Sequence, residues 1–582
     1  MDTEVNFTII GGGLTATAML IQFVGKLDRY ASQRRLDPST IGIKIFEKQN
    51  IFGPGFPHND NFILPFHITN MCASDMGVLE DEPNDFQLWV IENFEKLRSR
   101  FPWFQDDARG AGRIGNECNH YPRAIMGEYL KARFQAAFQT AAQVGLKIQL
   151  YPSSEVVDIK RCDNKLRLCV RDLSDDRYFS SDTDHVLLAT GHWSEKNNSE
   201  NYFNSPWPAD KLRRNIPENA KIAVIGTSLS AIETLLTLTS DGEFRRSSTG
   251  RLVFRPSDKH RTFSLYSRRG LLPKVRGKTG GRKNKYLNRR NLDRLLSENG
   301  GVLTLETIFN LLNSELEDGY GHPIDWQEVM DPSGEPVDLL QKYLIDAIRG
   351  DGPDGELIWQ TILVQSFDIV RDIYLKLSAE SRRQFDKSYT SVFFTHAASQ
   401  PVVNAEKLLA LMQAGIVQVR KLGKNYRLTR NNISGCYEFF YKDNRGQLVK
   451  DAYRYVVNAR GQQKSLATNP SALIKNLIRS GTLQIEKFQS AGSTANDDPH
   501  ESIENHILGS VHKLGSLLID PETHRVLEVK SDREAKRSNC IYAVGAMTRG
   551  QIINASMARG IVQATSKVAD DLLQNLIKVY EG

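Results

Sequence analysis

Long apolar runs are missing from this sequence of 582 residues. No stretch reaches the ~18 apolar residues that a membrane-spanning helix needs, so we predict no membrane partner. A C-x-x-C pair is also missing: the six cysteines are scattered, which predicts neither a disulfide framework nor a metal site. Because a strand-like run begins almost at the N-terminus, no room is left for a signal peptide, and we predict a cytoplasmic protein.

A strong excess of one charge is likewise absent. The chain has 75 Lys and Arg against 69 Asp and Glu, a net charge of +6. That mild balance suits anionic small molecules and does not require nucleic acid. The composition is that of an ordinary globular protein, and the length predicts roughly three or four domains.

A glycine turn follows the first strand-like run, residues 7–10. Gly11, Gly13 and Ala16 fit the pattern G-x-G-x-x-G/A. In this pattern the first position makes the turn, the second lets a pyrophosphate approach the backbone, and the third packs a helix closely on the strand. The next predicted strand ends in Glu47, which is placed to accept hydrogen bonds from a ribose. We therefore predict an ADP-type dinucleotide site, against the simpler alternative of a plain turn.

A second glycine turn repeats this pattern at residues 221–233, where Gly226, Ser228 and Ala231 take the three positions. Ser228 adds a hydroxyl group that suits a phosphate. The following strand leads to Arg268 and Arg269, where the first repeat has an acid. Arginines there accommodate a 2′-phosphate, which predicts NADPH. A structural repeat without a ligand is the alternative.

A basic run covers residues 268–294, with eleven Lys or Arg and one acid. Nucleic-acid binding must be considered. Tyr286 is the only aromatic residue among them, however, so phosphate capture on a mobile loop is the simpler hypothesis, and we predict no nucleic-acid partner. A helical pattern follows as far as about residue 411 and predicts a helical insertion.

Several polar residues are candidates outside the two turns. The loop of residues 53–57 either borders the ligand crevice or is a plain surface loop. Arg123 falls in the first turn of a predicted helix, where the helix dipole disfavours a cation, so either an anion or solvent holds it. His396 falls near an element boundary, and a structural role is the alternative to a site role.

The order of these motifs resembles that of the flavoproteins with two dinucleotide-binding domains, in which an NADPH domain is inserted into an FAD domain. More narrowly, the chain resembles the FAD/NAD(P)-binding family that includes flavin-dependent amino-acid N-monooxygenases, among them enzymes that oxidise L-aspartate to nitrosuccinate. The resemblance rests on the following segments: residues 11–16, 53–56, the stretch around Asn70, Arg123 with residues 127–130, residues 226–231 and residues 267–273.

This resemblance implies an α/β fold with an FAD-binding Rossmann-like domain (residues 1–200 and 461–582). Inserted into it are an NADPH-binding Rossmann-like domain (residues 201–290 and 412–460) and a helical insertion (residues 291–411). It also implies that Gly545 and Ala546 lie by the ribityl chain and flavin ring. Many flavoproteins have an acid where Ala546 stands here.

The resemblance further implies an FAD-dependent monooxygenase that uses NADPH and O₂ to oxidise the amine of a small amino acid, with L-aspartate as the named substrate. Oxygen would be transferred through a C4a-(hydro)peroxyflavin. An NADPH:acceptor reductase without oxygen insertion and a non-catalytic redox-sensing flavoprotein are the alternatives.

The predicted site residues fall into three groups. Cofactor-binding residues are Gly11, Gly13, Leu14, Thr15, Ala16, Glu47, Lys48, Gly55, Arg123, Gly191, Gly226, Ser228, Ala231, Arg268, Arg269, Gly545 and Ala546. Catalytic residues are His67, Asn70 and His396. Substrate-binding residues are His58, Arg549 and Asn554, because an amino-acid carboxylate needs cationic or N–H donors near the flavin.

Overall fold

The computed structural model of the protein describes residues 5–32, 36–104, 119–194, 200–461, 466–487, 514–529 and 535–581. The strands are β1 (Val5–Ile10), β2 (Ile41–Phe46), β3 (Lys147–Tyr151), β4 (Ser154–Cys162), β5 (Lys165–Asp172), β6 (Tyr178–Thr183), β7 (His185–Leu188), β8 (Tyr202–Phe203), β9 (Lys221–Ile225), β10 (Glu243–Arg246), β11 (Leu252–Arg255), β12 (Thr262–Ser267), β13 (Val417–Lys421), β14 (Arg427–Arg430), β15 (Tyr437–Lys442), β16 (Leu448–Tyr453), β17 (Tyr455–Asn458), β18 (Ile485–Lys487), β19 (Leu514–Leu517), β20 (Arg525–Val529) and β21 (Ala535–Ala543).

The α-helices are α1 (Leu14–Ser32), α2 (Asp85–Glu92), α3 (Phe94–Arg100), α4 (Arg123–Gln143), α5 (Ala209–Asn215), α6 (Leu229–Leu238), α7 (Arg289–Glu298), α8 (Leu305–Tyr320), α9 (Trp326–Met330), α10 (Pro336–Arg349), α11 (Ile358–Gln365), α12 (Phe367–Lys376), α13 (Ala379–Gln384), α14 (Thr390–Ala397), α15 (Val402–Gln413), α16 (Ala472–Arg479) and α17 (Ala558–Glu581). Short 3-10 turns include Ala73–Asp75 and Ala546–Thr548, and a π-helical turn covers Phe385–Tyr389.

The first sheet has six strands in the order β20-β21-β7-β1-β2-β3. All neighbours run parallel except β20 and β21. Phe7, Ile9 and Ile10 of β1 are buried, as expected for a central parallel strand covered on both faces. Helices α1, α4 and α17 share an apolar core with one face of this sheet. Strand β21 and helix α17 therefore bring the end of the chain back to the glycine turn at its start.

The second sheet has five parallel strands in the order β13-β12-β9-β17-β8. The antiparallel strands β14, β15 and β16 pack on it, and the ring of Tyr266 on β12 stacks on Phe439 of β15 at 4.4 Å between centroids. Because this sheet lies in the chain between β7 and β21 of the first sheet, the predicted insertion of one Rossmann-like domain into another is confirmed as a fold. The residue boundaries given above for the domains stay predictions.

Helices α7 to α15 form the predicted helical region, between the neighbouring strands β12 and β13. Helix α8 shows how these helices are delimited. The side chain of Thr304 accepts a hydrogen bond from the N–H of Thr307 at its start, and Gly321 ends it with a left-handed φ of 73°.

The basic run is held by this helical region, so the mobile loop expected from the sequence is wrong. Glu315 is fully buried and accepts hydrogen bonds from the backbone N–H groups of residues 285–287, at 2.7 to 3.0 Å. It also pairs with Arg282, which in turn contacts Asp318. A carboxylate that accepts several backbone N–H groups fixes the conformation of the segment that donates them.

One expectation about cysteine is also corrected. Cys72 is disulfide-bonded, although the spacing of the cysteines gave no sign of it; Cys118 lies outside the described residues. Cys162, Cys169, Cys436 and Cys540 carry free thiols. Among the described residues, no helix has the length and apolar character needed to cross a membrane.

Candidate functional site

The first glycine turn joins β1 to α1 and is closely surrounded by backbone. Gly11 has a φ of 109°, and a Cβ there would lie 2.3 Å from the carbonyl oxygen of Ala189 at the end of β7. A Cβ at Gly13 would lie 3.1 Å from the Cα of Gly55. A side chain at Gly11 would therefore push the turn away from the end of β7, and one at Gly13 would displace the loop of residues 53–57, which borders the turn.

Glu47 follows β2 and fixes the turn from the other side. Its carboxylate accepts a hydrogen bond from the N–H of Gly12 at 2.5 Å and another from the N–H of Gln49 at 2.9 Å. Burial raises the pKa of Glu47, while these hydrogen bonds oppose that shift. The side chain of the next residue, Lys48, points instead to Glu155 at 2.6 Å. The structure thus places Glu47 at the turn and directs Lys48 away from it.

The return segment after β21 reaches the same place. A Cβ at Gly545, whose φ is 94°, would lie 3.3 Å from the hydroxyl of Thr15 in the first turn of α1. Gly191, after β7, has a φ of 69° and no atom within 4 Å of its Cβ position. The hydroxyl of Thr190 is buried without a hydrogen-bond partner. Gly11, Gly13, Glu47 and Gly545 of the predicted first site are therefore brought together, and the Cβ position of Gly191 faces open space.

These features fit a dinucleotide. The first N–H groups of α1 have no carbonyl partner within the helix and carry the positive end of its dipole, which favours a pyrophosphate. Leu14, Thr15 and Ala16 lie in that first turn, and Ala546 begins the short helical turn that follows Gly545. When FAD is bound, it supplies the redox chemistry of such a site. The individual contacts of these residues with FAD stay predictions.

The second glycine turn has the same construction. Gly226 has a φ of 123°, and a Cβ there would lie 2.7 Å from the carbonyl oxygen of Ala459. Ser228 precedes α6, is exposed, and makes no side-chain hydrogen bond to the helix end, so its hydroxyl is available to a phosphate. Ala231 is fully buried within the first turns of α6. The turn fits a second dinucleotide, here the predicted NADPH.

The two arginines after β12 differ in their surroundings. Arg269 donates hydrogen bonds to the carbonyl oxygens of Met330 and Ser388, at 3.0 and 3.2 Å, both in the helical region. Its guanidinium is therefore engaged, which does not support its predicted role in binding a 2′-phosphate. Arg268 is exposed and remains the better candidate for that role.

His67 does not have the surroundings of a catalytic histidine. Its side chain is fully buried, and burial lowers its pKa to about 3. The N–H of Leu64 donates to Nδ1 at 3.0 Å, and Nε2 lies 2.9 Å from the hydroxyl of Thr237 on α6. Both ring nitrogens are thus occupied, and the predicted catalytic role of His67 is not supported.

The sequence left open whether an anion or solvent holds Arg123. In the structure an anion holds it, and this anion is a carboxylate of the protein itself. Nη2 of Arg123 lies 2.8 Å from Oε1 of Glu233 on α6. Its Nε donates to the carbonyl oxygen of Ile68 at 3.3 Å. Binding of Arg123 to a cofactor stays a prediction, but the geometry favours a contact between the two domains instead.

Other predicted polar residues retain unused hydrogen-bonding atoms. Buried polar atoms without a partner are Nδ1 of His58, Oδ1 of Asn70 and Oδ1 of Asn554. His396, in the last turn of α14, contacts the carbonyl oxygen of Val392 through Nδ1 at 3.0 Å and packs edge-on against Trp359. Since a buried polar atom without a partner is costly, the first three residues are the better ligand candidates.

Arg549 lies four residues after Gly545, at the end of the short helical turn. Burial lowers its pKa, and no carboxylate of the described residues lies within 4.0 Å of it in an ion pair. Its guanidinium lies 5.8 Å from the ring centre of Phe394. It lines a small cavity together with the following side chains: Tyr374, Phe385, Asp386, Phe394 and Ile553.

Sequence reasoning missed the residues that the helical region contributes. Tyr374 donates a hydrogen bond to Asp386 at 3.1 Å, and both face the cavity of Arg549. Glu233 and Thr237 were also missed, because a carboxylate and a hydroxyl within an apolar helical pattern give no indication of their partners. The one available signal was that Glu233 stands among the apolar residues of α6, which predicts burial. Buried carboxylates are normally paired, but the pattern does not identify the partner.

Comparisons with known proteins find similarities in sequence and in structure. Residues 8–193 match the FAD-NAD(P)-binding family. The chain is 22% identical over 423 residues to the uncharacterized protein YdhS of Escherichia coli (strain K12), covering 67% of this chain and 74% of that protein. It aligns with the reduced ornithine hydroxylase of Pseudomonas aeruginosa at 12% identity, covering 98% of this chain and 99% of that chain, with a TM-score of 0.49. It aligns with the ornithine N-hydroxylase of Kutzneria sp. 744 at 12% identity, covering 98% of this chain and 99% of that chain, with a TM-score of 0.46.

The family match covers the first glycine turn, Glu47 and Gly191, which the structure brings together on the first sheet. The second parallel sheet repeats the same strand, turn and helix around Gly226. Residues 8–193 thus match an FAD-NAD(P)-binding domain in sequence, and the structure adds a second parallel sheet with the same strand, turn and helix.

Proposed function

We propose that the protein is an FAD-dependent oxidoreductase that uses NADPH and O₂ to oxidise the amine of a small amino acid, with L-aspartate, giving nitrosuccinate, as the first substrate to test. In the first oxidation step, one amine, one O₂, one NADPH and one proton give a hydroxylamine, water and NADP⁺. The observation that carries this proposal is the unpaired guanidinium of Arg549 beside the return segment of the FAD site.

The charge of Arg549 supports an anionic substrate. Arg549 is buried and forms no ion pair among the described residues, while Asp386 on the same cavity is bound by Tyr374; a substrate carboxylate could therefore pair with Arg549 directly. Asn554 lies five residues further on, and its buried Oδ1 lacks a donor. An amine N–H can supply that donor. An amino acid provides both groups in one small molecule.

Nitrogen must carry a free lone pair to accept oxygen. A site of low polarity favours the neutral amine over the ammonium ion, so a general base is not required if the amine binds neutral. Phe385, Phe394 and Ile553 provide the apolar part of the lining of the cavity of Arg549, alongside the polar groups of Tyr374 and Asp386.

The test is NADPH consumption under air by the FAD-loaded enzyme, screened over free amino acids and simple amines, with mass spectrometry of the products. Substrate-stimulated consumption with an added mass of one oxygen supports the proposal. Steady peroxide release with every amine, together with rapid turnover of a quinone or dye, would identify an NADPH:acceptor reductase instead.

A pair of variants tests the role of Arg549. Arg549→Met should raise the KM for amino acids and leave that for simple amines without a carboxylate unchanged. Arg559→Met is the matched control, because Arg559 lies near the same segment but is paired with Asp368 at 2.9 Å. An equal effect of the two substitutions would exclude Arg549 as the carboxylate ligand.

A further inference from the structure

The two dinucleotide-binding domains are joined at two points on α6, the helix that follows the second glycine turn. At the first point, Nη2 of Arg123 lies 2.8 Å from Oε1 of Glu233. The side chain of Arg123 is 15% exposed and that of Glu233 is 3% exposed. Arg123 is the first residue of α4, in the first domain. The pair is therefore a buried ion pair that crosses between the domains.

The second point is a hydrogen bond between His67 and Thr237. Nδ1 of His67 accepts a hydrogen bond from the N–H of Leu64 at 3.0 Å, so the ring proton resides on Nε2. Nε2 then donates to the hydroxyl of Thr237 at 2.9 Å. That hydroxyl donates in turn to the carbonyl oxygen of Glu233 at 2.8 Å, one turn earlier in α6.

The two residues of the first domain are themselves connected. The backbone N–H of Arg123 donates to the carbonyl oxygen of His67 at 2.7 Å. Trp207 packs against both: its ring centre lies 4.9 Å from that of His67 and 5.8 Å from Cζ of Arg123. Arg123 and His67, both in the first domain, thus form one connected unit that contacts two successive turns of α6.

Helix α6 begins directly after Ser228, where the pyrophosphate of the second nucleotide is expected to bind. Two attachments one turn apart restrict both the position and the direction of this helix. We propose that the four residues Arg123, His67, Glu233 and Thr237, here named the α6 latch, position the nicotinamide nucleotide relative to the FAD for hydride transfer. This inference rests on the proposed function, in which NADPH reduces the flavin.

The latch residues are positioning residues, since they act through α6. A displacement of about 1 Å between reacting groups can slow a reaction by about 100-fold. We therefore expect that opening the latch lowers the rate of flavin reduction at saturating NADPH by up to about 100-fold. The dissociation constant of FAD should stay unchanged, because none of the four latch residues lies in the first glycine turn.

Thr237→Val tests the second point while keeping the shape of the side chain, and Glu233→Gln tests the first. Thr237→Ser keeps the hydroxyl and should rescue the loss. The control is Asp85→Asn, because Asp85 is also a buried carboxylate paired with an arginine, Arg133, but both belong to the first domain. It should lower the melting temperature without changing the rate of flavin reduction.

Two measurements are made on each FAD-loaded variant. Stopped-flow absorbance gives the rate of flavin reduction and its dependence on NADPH concentration, and hydrogen–deuterium exchange reports latch opening without any turnover. We expect Thr237→Val and Glu233→Gln to increase amide exchange in residues 64–68 and 229–238 and to slow reduction. We expect Thr237→Ser to restore both.

Unchanged exchange in those two segments, or an equal loss of rate in Asp85→Asn, would overturn the inference. If NADPH fails to reduce the flavin of the wild-type protein, the proposed function is wrong, and the exchange result then decides whether the latch joins the domains.

Discussion

The preference for NADPH over NADH provides a sharp test of the second site, because the structure separates two adjacent arginines. Arg268 is exposed after β12, and neither an ion pair nor a hydrogen bond of its guanidinium occurs among the described residues. Arg269 is bound to the carbonyl oxygens of Met330 and Ser388. Arg268→Ala should therefore reduce the preference, whereas Arg269→Ala should not.

The expected magnitudes differ for the same reason. A charge-assisted hydrogen bond to a phosphate contributes about 1.5–3 kcal/mol. Since Arg268 is exposed and screened by solvent, the lower value applies, and Arg268→Ala should reduce the preference by about 10-fold. Arg269→Ala leaves two carbonyl groups without a donor and should lower the free energy of unfolding by about 1–3 kcal/mol.

The assay is stopped-flow reduction of the bound flavin by NADPH and by NADH, with thermal unfolding of each variant in parallel. A wild-type protein that both nucleotides reduce equally fast would refute the assignment of NADPH. A loss of preference in Arg269→Ala with full preference in Arg268→Ala would refute our assignment of the two side chains.

Three further predictions concern the cofactor, the pH dependence and the cavity. Gly13→Val should abolish FAD binding, because its side chain would fill the space between the glycine turn and Gly55; full FAD occupancy in this variant would contradict the placement. The free energy of unfolding should fall below about pH 6.5 by up to ~1.4 kcal/mol per pH unit for each buried neutral histidine, because the unfolded chain takes up protons that the folded chain excludes. His524 tests this, because its pKa in the folded protein is about 4 and asparagine tolerates its φ of 58°. The substitution His524→Asn should reduce the change of unfolding free energy with pH, measured by chemical unfolding between about pH 5 and 6.5. An unchanged pH dependence would contradict the prediction. Phe394→Ala should open the cavity of Arg549 to water and increase peroxide release relative to product, whereas an unchanged ratio would show that this ring does not exclude water.

The glycine turns could be predicted from the sequence because their requirements are local. Gly11 and Gly226 both have positive φ and leave no room for a Cβ beside a neighbouring strand, and both follow short apolar strands. The partner strands need not be known to recognise that pattern. The return of Gly545 to the first turn, by contrast, was predicted only from the resemblance to a known order of motifs. In the structure, a Cβ at Gly545 would lie 3.3 Å from the hydroxyl of Thr15.

The basic run illustrates where local reasoning fails. A dense positive charge predicts a partner of opposite charge but does not identify it. The partners here are carboxylates of the helical region, such as Glu315 and Asp318 for Arg282. They could not be identified from the sequence because Glu315 lies on the same face of α8 as Leu311 and Leu312, and a carboxylate on an apolar face does not reveal which groups it will bind.

Arg123 shows both the strength and the limit of reasoning from a helix dipole. A cation at the first residue of α4 is disfavoured, so the expectation that an anion holds it was physically sound. The structure adds that Glu233 supplies this charge from a helix of the other domain, and that the same helix presents the second glycine turn. An unfavourable residue in one domain is thus compensated by a residue of the next. The charge of Arg123 is thus balanced by the helix that presents the second glycine turn, and an argument confined to one helix cannot identify this dependence between domains.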